Sequence, residues 1–251
     1  MKIQGDYHTH STYSKFKHGK NTIAEMVESA KAKGLRFIAI TDHGPKHIPF
    51  GIRRKDIDKA RYEVDEINKL GIVERVYLGI EANIIGKDGE IDLTDEEIKK
   101  LDLLIVGFHR GTINNITKPF LMFGKTKKQI EKQTQAYINL VHRYDVDFIT
   151  HLGEYIQVDF KRVAEECAKT DTLLEINNRH YRWTDEQMKE ILSTDVKFIV
   201  SSDAHKRSRV ALVSDALAVV KKFNIPPERV VNISGEYIPK KFRKQNAQKE
   251  S

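Results

Sequence analysis

With 251 residues, 39% of them hydrophobic, the chain is long enough for one large α/β domain with an ordinary buried core. A single cysteine, Cys167, excludes an internal disulfide, and no apolar run reaches the length of a membrane span, so we expect a cytoplasmic protein without a membrane partner. The net charge of +7 is concentrated at one end, because residues 240–251 hold five basic residues and one acid. We expect a disordered basic tail there and a single domain over residues 1–239, which makes a nucleic-acid partner less favoured.

Short apolar runs alternate with amphipathic segments along the chain. The runs that predict strands are residues 2–7, 35–41, 76–80, 103–108, 147–150, 172–176 and 197–201. The segments that predict helices, several opened by capping boxes, are residues 23–33, 53–70, 94–101, 126–143, 159–169, 184–192 and 209–223. This alternation predicts a parallel sheet with both faces covered, either doubly wound or closed into a barrel.

Residues of metal-ligand type follow six of the seven predicted strands. In chain order they are His8 and His10, His43, Glu81, His109, His151, and the pair Asp203 and His205. Parallel strands present their C-terminal ends on one rim, so these side chains should converge, which favours the closed barrel. Residues two apart on an extended segment point the same way, so each of the two pairs can share an ion. A set of unrelated polar rim residues is the alternative, and the repeated placement argues against it.

Taken together, these segments resemble the motifs of the polymerase and histidinol phosphatase (PHP) family. The matching segments are His8-Thr9-His10, Thr41-Asp42-His43-Gly44, Gly79-Ile80-Glu81, His109, His151 and Ser202-Asp203-Ala204-His205. The chain is most similar to the short, stand-alone bacterial phosphatases of that family. The resemblance implies a PHP-type metal-dependent hydrolase domain over residues 1–239. Its fold would be a distorted TIM-like (β/α)7 barrel with a metal site at the C-terminal ends of the strands.

The resemblance also implies a ligand set for three divalent metal ions. One ion would be held by His8, His10, Glu81 and Asp203, a second by Glu81, His109 and His151, and a third by His18, His43 and His205. A dinuclear site stays open, because His18 lies in a loop of uncertain alignment. Imidazole and carboxylate ligands without thiolate favour Zn, with Mn or Fe as alternatives. We expect Asp203 and His205 to be catalytic as well.

The implied site predicts chemistry on an anion. Three divalent ions with only two carboxylates would give a pocket of about +4, which suits a phosphate monoester. We therefore expect a phosphatase that hydrolyses a small phosphorylated metabolite by attack of a metal-bridging hydroxide, with histidinol phosphate as one candidate. Arg179, His180 and Arg207 are the expected substrate contacts. Asp42 either orients the neighbouring His43 or caps its loop.

Two other functions stay open at this point. The first is a nuclease or proofreading-type phosphodiesterase acting on nucleic acid, since PHP domains also accompany bacterial DNA polymerases. The second is a non-catalytic PHP scaffold, although this chain retains the full set of ligand-type residues. Residues 110–125 have an apolar tip and are a candidate lid or a contact in a homo-oligomer.

Overall fold

Seven parallel strands, taken in chain order, form the sheet at the centre of the structure, which is a computed structural model that describes residues 1–116 and 126–250. The strands are β1 Gly5–Asp6, β2 Phe37–His43, β3 Arg75–Asn83, β4 Leu103–Gly107, β5 Phe148–Ile149, β6 Leu173–Asn177 and β7 Phe198–Ser201. The helices are α1 Ile23–Ala32, α2 Ile57–Lys69, α3 Asp95–Lys99, α4 Lys127–Arg143, α5 Phe160–Lys169, α6 Asp185–Leu192, α7 Ser214–Lys222, α8 Val231–Ser234 and α9 Lys240–Glu250. Each strand pairs with the next in parallel, as the alternating pattern predicts.

The sheet curves into a nearly closed barrel, with β7 brought back beside β1. Beyond the strand ends, Thr9 and Ala204 form a parallel bridge, and His10 N donates to Ala204 O at 2.8 Å. Lower down, the Asn232 side chain links the two strands, because it accepts from Val200 N at 3.0 Å and donates to Gly5 O at 3.1 Å. The predicted TIM-like barrel of seven β/α units is therefore confirmed.

The inward side chains of the barrel form two layers. The lower layer is apolar and consists of Tyr7, Phe37, Ala39, Tyr77, Leu103, Ile105, Phe148, Leu173, Ile199 and Tyr237. Side chains alternate along a strand, so the same inward face continues upward with a period of two. On β3 that face reaches Glu81, and on β6 it reaches Glu175, and both are buried. The polar layer thus lies above the apolar layer, at the C-terminal ends of the strands.

The basic C-terminal segment is folded, which corrects the expectation of a disordered tail. Helix α9 covers Lys240–Glu250 and packs at the lower end of the barrel. Lys240 N donates to Asp147 Oδ1 at 2.9 Å, and Lys240 Nζ donates to Thr170 O at 2.9 Å. Lys240, Lys241, Arg243 and Lys244 all bind partners far away in the sequence, so this part of the segment packs on the domain.

The segment predicted as a lid or oligomer contact lies partly outside the described residues, since residues 117–125 are not described. That expectation stays a prediction. In the described part of the chain, no helix is both long enough and apolar enough to cross a membrane.

Candidate metal centre

The nine predicted metal ligands converge at the upper end of the barrel. Seven of them line a small depression of about 120 Å³, which we call the inner cavity. Its lining residues are His18, His43, His47, Phe50, Glu81, His109, His151, Tyr155, Arg179, His180, Asp203 and His205. The remaining two, His8 and His10, are fully buried beneath it. Segments scattered over most of the chain therefore meet at one point, as the parallel strand order requires.

Glu81, near the end of β3, is the central carboxylate of the inner cavity. Its Oε1 atom lies 2.9 Å from His151 Nε2 and 3.1 Å from His109 Nε2. Thr150 Oγ1 donates to the same oxygen at 2.9 Å. On the other side, His43 Nδ1 lies 2.9 Å from Glu81 Oε2. One carboxylate thus faces imidazoles that come from the ends of three different strands.

Asp203, just after β7, is the second carboxylate of the cavity. Its Oδ1 atom lies 3.2 Å from His10 Nε2 and 3.3 Å from His205 Nδ1. The Nε2 atoms of His8 and His10 are 3.2 Å apart, and those of His18 and His205 are 2.7 Å apart. Two ligand nitrogens of one tetrahedral zinc ion would be ~3.3 Å apart. The spacing of these atoms therefore resembles that of ligands around shared ions.

Three groups of ligand atoms, each with all its atoms within 4.8 Å of one another, occur among the described residues: His8, His10 and Asp203; His43, Glu81 and His109; and His10, His43 and His205. The first group agrees with the ligand set that the resemblance implies. The second group places His43 with Glu81 and His109. The third places His43 with His205, as the resemblance does, but with His10 instead of His18. The residues meet as expected, and the assignment of individual ligands to ions stays a prediction.

Several buried polar atoms of this site lack a hydrogen-bond partner in the described part of the structure. They are Glu81 Oε2, Asp203 Oδ1, His10 Nδ1 and His43 Nδ1. The short contact between His43 and Glu81 does not have the geometry of a hydrogen bond. Buried polar atoms are almost always paired, so carboxylate oxygens without donors inside a ring of imidazoles need another partner. A divalent cation fits this donor set.

The electrostatic environment of His10, His18 and Glu81 favours the protonation states that bind a cation. At His8 and His151 burial lowers the pKa, but the facing carboxylates, Glu81 above all, raise it. Burial, assisted by His205, lowers the pKa values of His10 and His18 to about 3, so both imidazoles are neutral at physiological pH. Burial alone would raise the pKa of Glu81, but the neighbouring histidines, His109 above all, hold it well below its usual value. Neutral imidazole and ionised carboxylate are the ligand forms of these side chains.

Glu175, on β6, positions two of the predicted ligands from beneath. Its Oε1 atom lies 2.7 Å from His8 Nδ1 and also accepts from Ser201 Oγ. Its Oε2 atom accepts from His151 N at 2.8 Å and from Asn177 Nδ2 at 2.9 Å. Metal-binding histidines commonly give their second nitrogen to such a carboxylate, which fixes the ring and its tautomer. Glu175 was not predicted to have this role, although a charged residue inside an apolar strand was an available signal.

His109 is oriented by a comparable chain of contacts on another wall. Asn83 Oδ1 lies 2.8 Å from His109 Nδ1, which leaves His109 Nε2 directed at Glu81. The Asn83 amide is in turn fixed by Asp92, since Asn83 N and Nδ2 donate to that carboxylate at 2.8 Å and 2.6 Å. This support also went unrecognised in the sequence, because Asn83 and Asp92 are separated by a loop.

Asp42 supports a loop and does not contact His43 through a hydrogen bond in the described structure. Its carboxylate accepts from the main-chain and side-chain donors of Ser11 and Ser14 at 2.6–3.0 Å. These bonds anchor the beginning of the loop that carries His18. Of the two roles predicted for Asp42, the loop cap is the one observed.

Two predicted ligands have an unusual backbone conformation. The φ angle is +29° at His151 and +50° at Asp203, in the left-handed region that residues other than glycine rarely adopt. Such strain costs about 1–3 kcal/mol per residue and clusters at functional sites. Gly107 makes room for one of these ligands, because a Cβ atom there would lie 2.3 Å from Thr150 Oγ1 and 3.0 Å from His151 Cε1.

Two of the three expected substrate contacts lie at the inner cavity. Arg179 and His180 line it. Arg179 Nη1 lies 2.8 Å from His205 Nδ1, and His180 Nε2 lies 3.6 Å from Asp203 Oδ2. Both side chains therefore reach the predicted ligands directly. The structure brings them together with the site, and their role toward a substrate remains a prediction.

The third expected contact, Arg207, is placed elsewhere. It does not line the inner cavity, nor a second depression beside it that is described below. Its carbonyl oxygen accepts a hydrogen bond from Ser29 Oγ on α1, and its positive charge acts on the Glu25 carboxylate. The 3-10 turn Arg207–Arg209 instead brings Arg209 toward the site. Which arginine of this turn faces the cavity depends on the direction of the turn, which sequence spacing did not determine.

Arg209 belongs to a second depression of about 370 Å³ that adjoins the first, and we call it the outer cavity. Its lining residues are Phe16, Lys17, His18, Lys20, Phe50, Arg179, His205, Lys206 and Arg209. The two cavities share His18, Phe50, Arg179 and His205. The predicted metal centre therefore opens directly onto a basic surface.

The PHP domain family model matches residues 6–181 of the chain. A probable phosphatase from Caldanaerobacter subterraneus subsp. tengcongensis is 31% identical over 243 residues, which cover 93% of this chain and 89% of that protein. The probable phosphatase YcdX from Escherichia coli O1:K1 is 32% identical over 243 residues, covering 91% of this chain and 89% of that protein. Each alignment includes most of both chains.

Among solved structures, the chain is similar to the histidinol phosphate phosphatase of Lactococcus lactis, which was crystallised with zinc, L-histidinol and phosphate. The TM-score is 0.58 at 16% identity, and the match covers 88% of this chain and 94% of that one. At this identity the likeness is one of fold.

Proposed function

This chain belongs to the PHP domain family, and on that premise we propose that it is a metal-dependent phosphatase that hydrolyses small phosphorylated metabolites. The observation that carries the proposal is the pair of buried carboxylate oxygens, Glu81 Oε2 and Asp203 Oδ1, that have no protein donor in the described structure and face a ring of imidazoles. The relatives named probable phosphatases align with more than nine-tenths of the chain and support the same activity. Histidinol phosphate is one candidate substrate, since a protein of the same fold was solved with L-histidinol and phosphate.

We assign the binding of the metal to the nine residues at the upper end of the barrel. The proposed ligands are His8, His10, His18, His43, Glu81, His109, His151, Asp203 and His205. Nitrogen and oxygen donors without thiolate suit three divalent ions, with Zn first and Mn or Fe as alternatives. When bound, such ions supply a water nucleophile that is activated near neutral pH, and they stabilise the charge on the phosphoryl oxygens.

Arg179 is the side chain best placed to bind the phosphoryl group. It lines both cavities, so it lies where the two cavities adjoin. A planar guanidinium can donate two parallel hydrogen bonds to a phosphate. The inner cavity, at about 120 Å³, is about a third the size of the outer cavity at about 370 Å³. It accommodates a phosphoryl group, and the organic part of the substrate must lie outside it.

His180 is placed to assist the departing oxygen. Its Nδ1 atom lies 3.2 Å from Glu154 Oε1, and Glu154 Oε2 lies 3.2 Å from Arg182 Nε. This contact directs Nε2 toward Asp203, where the imidazolium form of the ring, with Nδ1–H on Glu154, can donate its Nε2 proton to the leaving oxygen. Burial lowers the pKa of His180, and the facing carboxylates of Asp203 and Glu154 oppose this effect. Asp203 and His205 are the residues that we propose to be catalytic, since both contact the space where the phosphoryl group would bind.

The proposal is tested with two chromogenic esters that differ in a single feature. The enzyme loaded with Mn²⁺ or Zn²⁺ should hydrolyse p-nitrophenyl phosphate, a monoester, far faster than bis(p-nitrophenyl) phosphate, a diester. EDTA should abolish the activity, and added metal should restore it. Full activity in the metal-free protein would contradict the proposal, and a preference for the diester would favour a phosphodiesterase instead.

We also propose a cytoplasmic location, because the lone Cys167 is buried with a free thiol and needs no oxidising compartment. Assembly into a homo-oligomer through residues 110–125 stays a prediction. Fractionation of cells and analytical ultracentrifugation of the purified protein test the two points separately.

A further inference from the structure

The outer cavity carries more positive charge than one phosphate ester can use. Its cationic lining residues are Lys17, Lys20, Arg179, Lys206 and Arg209, and no carboxylate lines it among the described residues. Arg179 also lines the inner cavity, where it would bind the phosphoryl group. The other four cations do not line the inner cavity.

These four outer cations differ from most basic residues on the surface. In the described part of the chain, the side chains of Lys17, Lys20, Lys206 and Arg209 make no hydrogen bond or ion pair. Many basic residues elsewhere are paired, as Arg162 is with Glu131 at 2.6 Å. Like charges gathered in a concave surface repel one another and create a field that attracts an anion. The cavity is therefore suited to a ligand with its own negative charge.

The loop of residues 11–21 places an aromatic ring and a lysine at the same opening. Phe16 and Lys17 have φ angles of +53° and +57°, in the left-handed region that residues other than glycine rarely adopt. The loop is fastened by Lys15 N, which donates to Phe50 O at 3.0 Å. The Phe16 ring is 80% exposed, which is unusual for a large apolar side chain in a fixed loop. It offers the organic part of a ligand a surface to pack against.

We propose that the natural substrate carries two phosphate groups, of which the inner cavity hydrolyses one while the outer cavity binds the other. Lys20, Lys206 and Arg209 are the specificity-determining residues that contact the second phosphate. Water adds to the phosphorus held in the inner cavity and the ester P–O bond breaks. The products are inorganic phosphate and an alcohol that retains the second phosphate. This inference rests on the proposed phosphatase function.

A matched series of simple substrates tests this inference without assuming a particular metabolite. Alkanediol bisphosphates with chains of various lengths are compared with the ω-hydroxyalkyl monophosphates of the same lengths, using the metal-loaded full chain. We expect kcat/KM to be at least about tenfold higher for the bisphosphate at the best chain length, equivalent to ~1.4 kcal/mol. A third arm of ω-phosphoalkanoates, which replace the second phosphate by a carboxylate, should show a smaller gain.

Substitutions then locate the second phosphate. In Lys20→Gln and Arg209→Gln, the ratio of kcat/KM for bisphosphate over monophosphate should fall by about tenfold, through a rise in KM, as expected for the loss of one charge-assisted contact. Lys20→Arg should restore much of the ratio. Lys221→Gln, which removes one exposed charge on α7, is the control and should leave the ratio unchanged. Because the ratio is measured within each variant, a loss of folding or metal affects both substrates equally.

The outcomes separate the two proposals. If the wild-type enzyme hydrolyses none of the monoesters, the phosphatase function itself fails. If it hydrolyses monophosphates and bisphosphates equally well at every chain length, the phosphatase function stands and the bisphosphate inference is overturned. A preference for the carboxylate series, or a ratio that Lys20→Gln and Arg209→Gln leave unchanged, also overturns it.

Discussion

Both ends of the barrel bury carboxylates, but two carboxylates at the upper end each keep an oxygen without a donor. At the lower end, Asp147 accepts from Leu104 N at 2.8 Å, from Tyr237 Oη at 2.6 Å and from Lys240 N at 2.9 Å. At the upper end, Glu81 Oε2 and Asp203 Oδ1 are equally buried and have no donor in the described structure. Equally buried carboxylates therefore have all their hydrogen bonds supplied by protein at the lower end, whereas at the upper end two oxygens have none.

This difference separates structural from functional acids in the fold. A buried carboxylate with a full set of hydrogen bonds stabilises the elements that provide the donors. A buried carboxylate that lacks them is costly unless a cation binds, so its retention indicates a site. Position in the barrel alone does not decide whether a buried acid is structural or functional. Glu175 lies in the upper layer, yet both of its oxygens have hydrogen-bond partners in the protein. Exchanging acids for amides at the two ends tests the distinction.

The largest effect is expected for Glu81→Gln. Loss of the charge removes the carboxylate that faces His43, His109 and His151, so metal binding should fail and kcat should fall by about a thousandfold or more, or ~4 kcal/mol. Metal content by mass spectrometry and steady-state kinetics measure both changes. Asp147→Asn, the matched exchange at the lower end, should keep the metal and most of kcat. A Glu81→Gln protein with full metal content would break the comparison.

The second-largest effect is expected at the lower end of the barrel, in the free energy of unfolding of Asp147→Asn. Asp147→Asn replaces an acceptor of three hydrogen bonds by an amide whose NH₂ group faces a donor whichever way it is turned. We expect the free energy of unfolding to fall by about 3 kcal/mol, as urea unfolding of the metal-free protein would measure. Glu81→Gln in the same metal-free state should cost less, because the lost attraction to the neighbouring histidines is offset by relief from burying a charge. Equal losses in both variants would show that the two ends do not differ.

Removal of metal should act only on the upper end. With metal present at a hundred times its Kd, the wild-type protein should gain ~2.7 kcal/mol of stability, and EDTA should remove this gain. The difference between melting curves with and without EDTA gives the measurement. Asp147→Asn should retain the full shift although its own melting temperature is lower, and Glu81→Gln should lose it. A chelator effect of the same size in Glu81→Gln would place the metal elsewhere.

The smallest effect is expected at Glu175, which supports the site without facing the cavity. Glu175→Gln weakens the contact that orients His8, so metal affinity should fall by about tenfold to a hundredfold. Competition against a chromophoric chelator measures this change. Glu74→Gln, which breaks an exposed ion pair with Arg36, is the control and should bind metal normally. Wild-type affinity in Glu175→Gln would remove this residue from the site.

The upper end of the barrel could be predicted from the sequence because of its topology. Glu81 follows an apolar run, and Asp203 lies just beyond another, and parallel strands bring their C-terminal ends to one rim whatever lies between them. Their orphaned oxygens could not be predicted, because hydrogen bonding depends on which neighbours turn toward each atom. The support from Glu175 was missed for the same reason.

The lower end could not be predicted, and the expectation of a disordered tail was wrong. A run of lysines is typical of a solvated end, but Lys240 is buried, and its partners Asp147 and Thr170 lie about seventy residues or more earlier in the chain. Such contacts leave no local pattern. Arg207 was predicted at the site, but Arg209 lines the outer cavity instead, and the reason is similar. The direction of one short 3-10 turn decides which of the two side chains reaches the cavity.

The most direct test of the account is anomalous X-ray scattering from crystals of the protein loaded with Mn²⁺ or Zn²⁺. The account predicts strong peaks within about 2.0–2.3 Å of Glu81 Oε2 and Asp203 Oδ1, and none beside Asp147. Crystals that contain stoichiometric metal but show no peak at those two oxygens, or that show them bonded to protein donors instead, would contradict it.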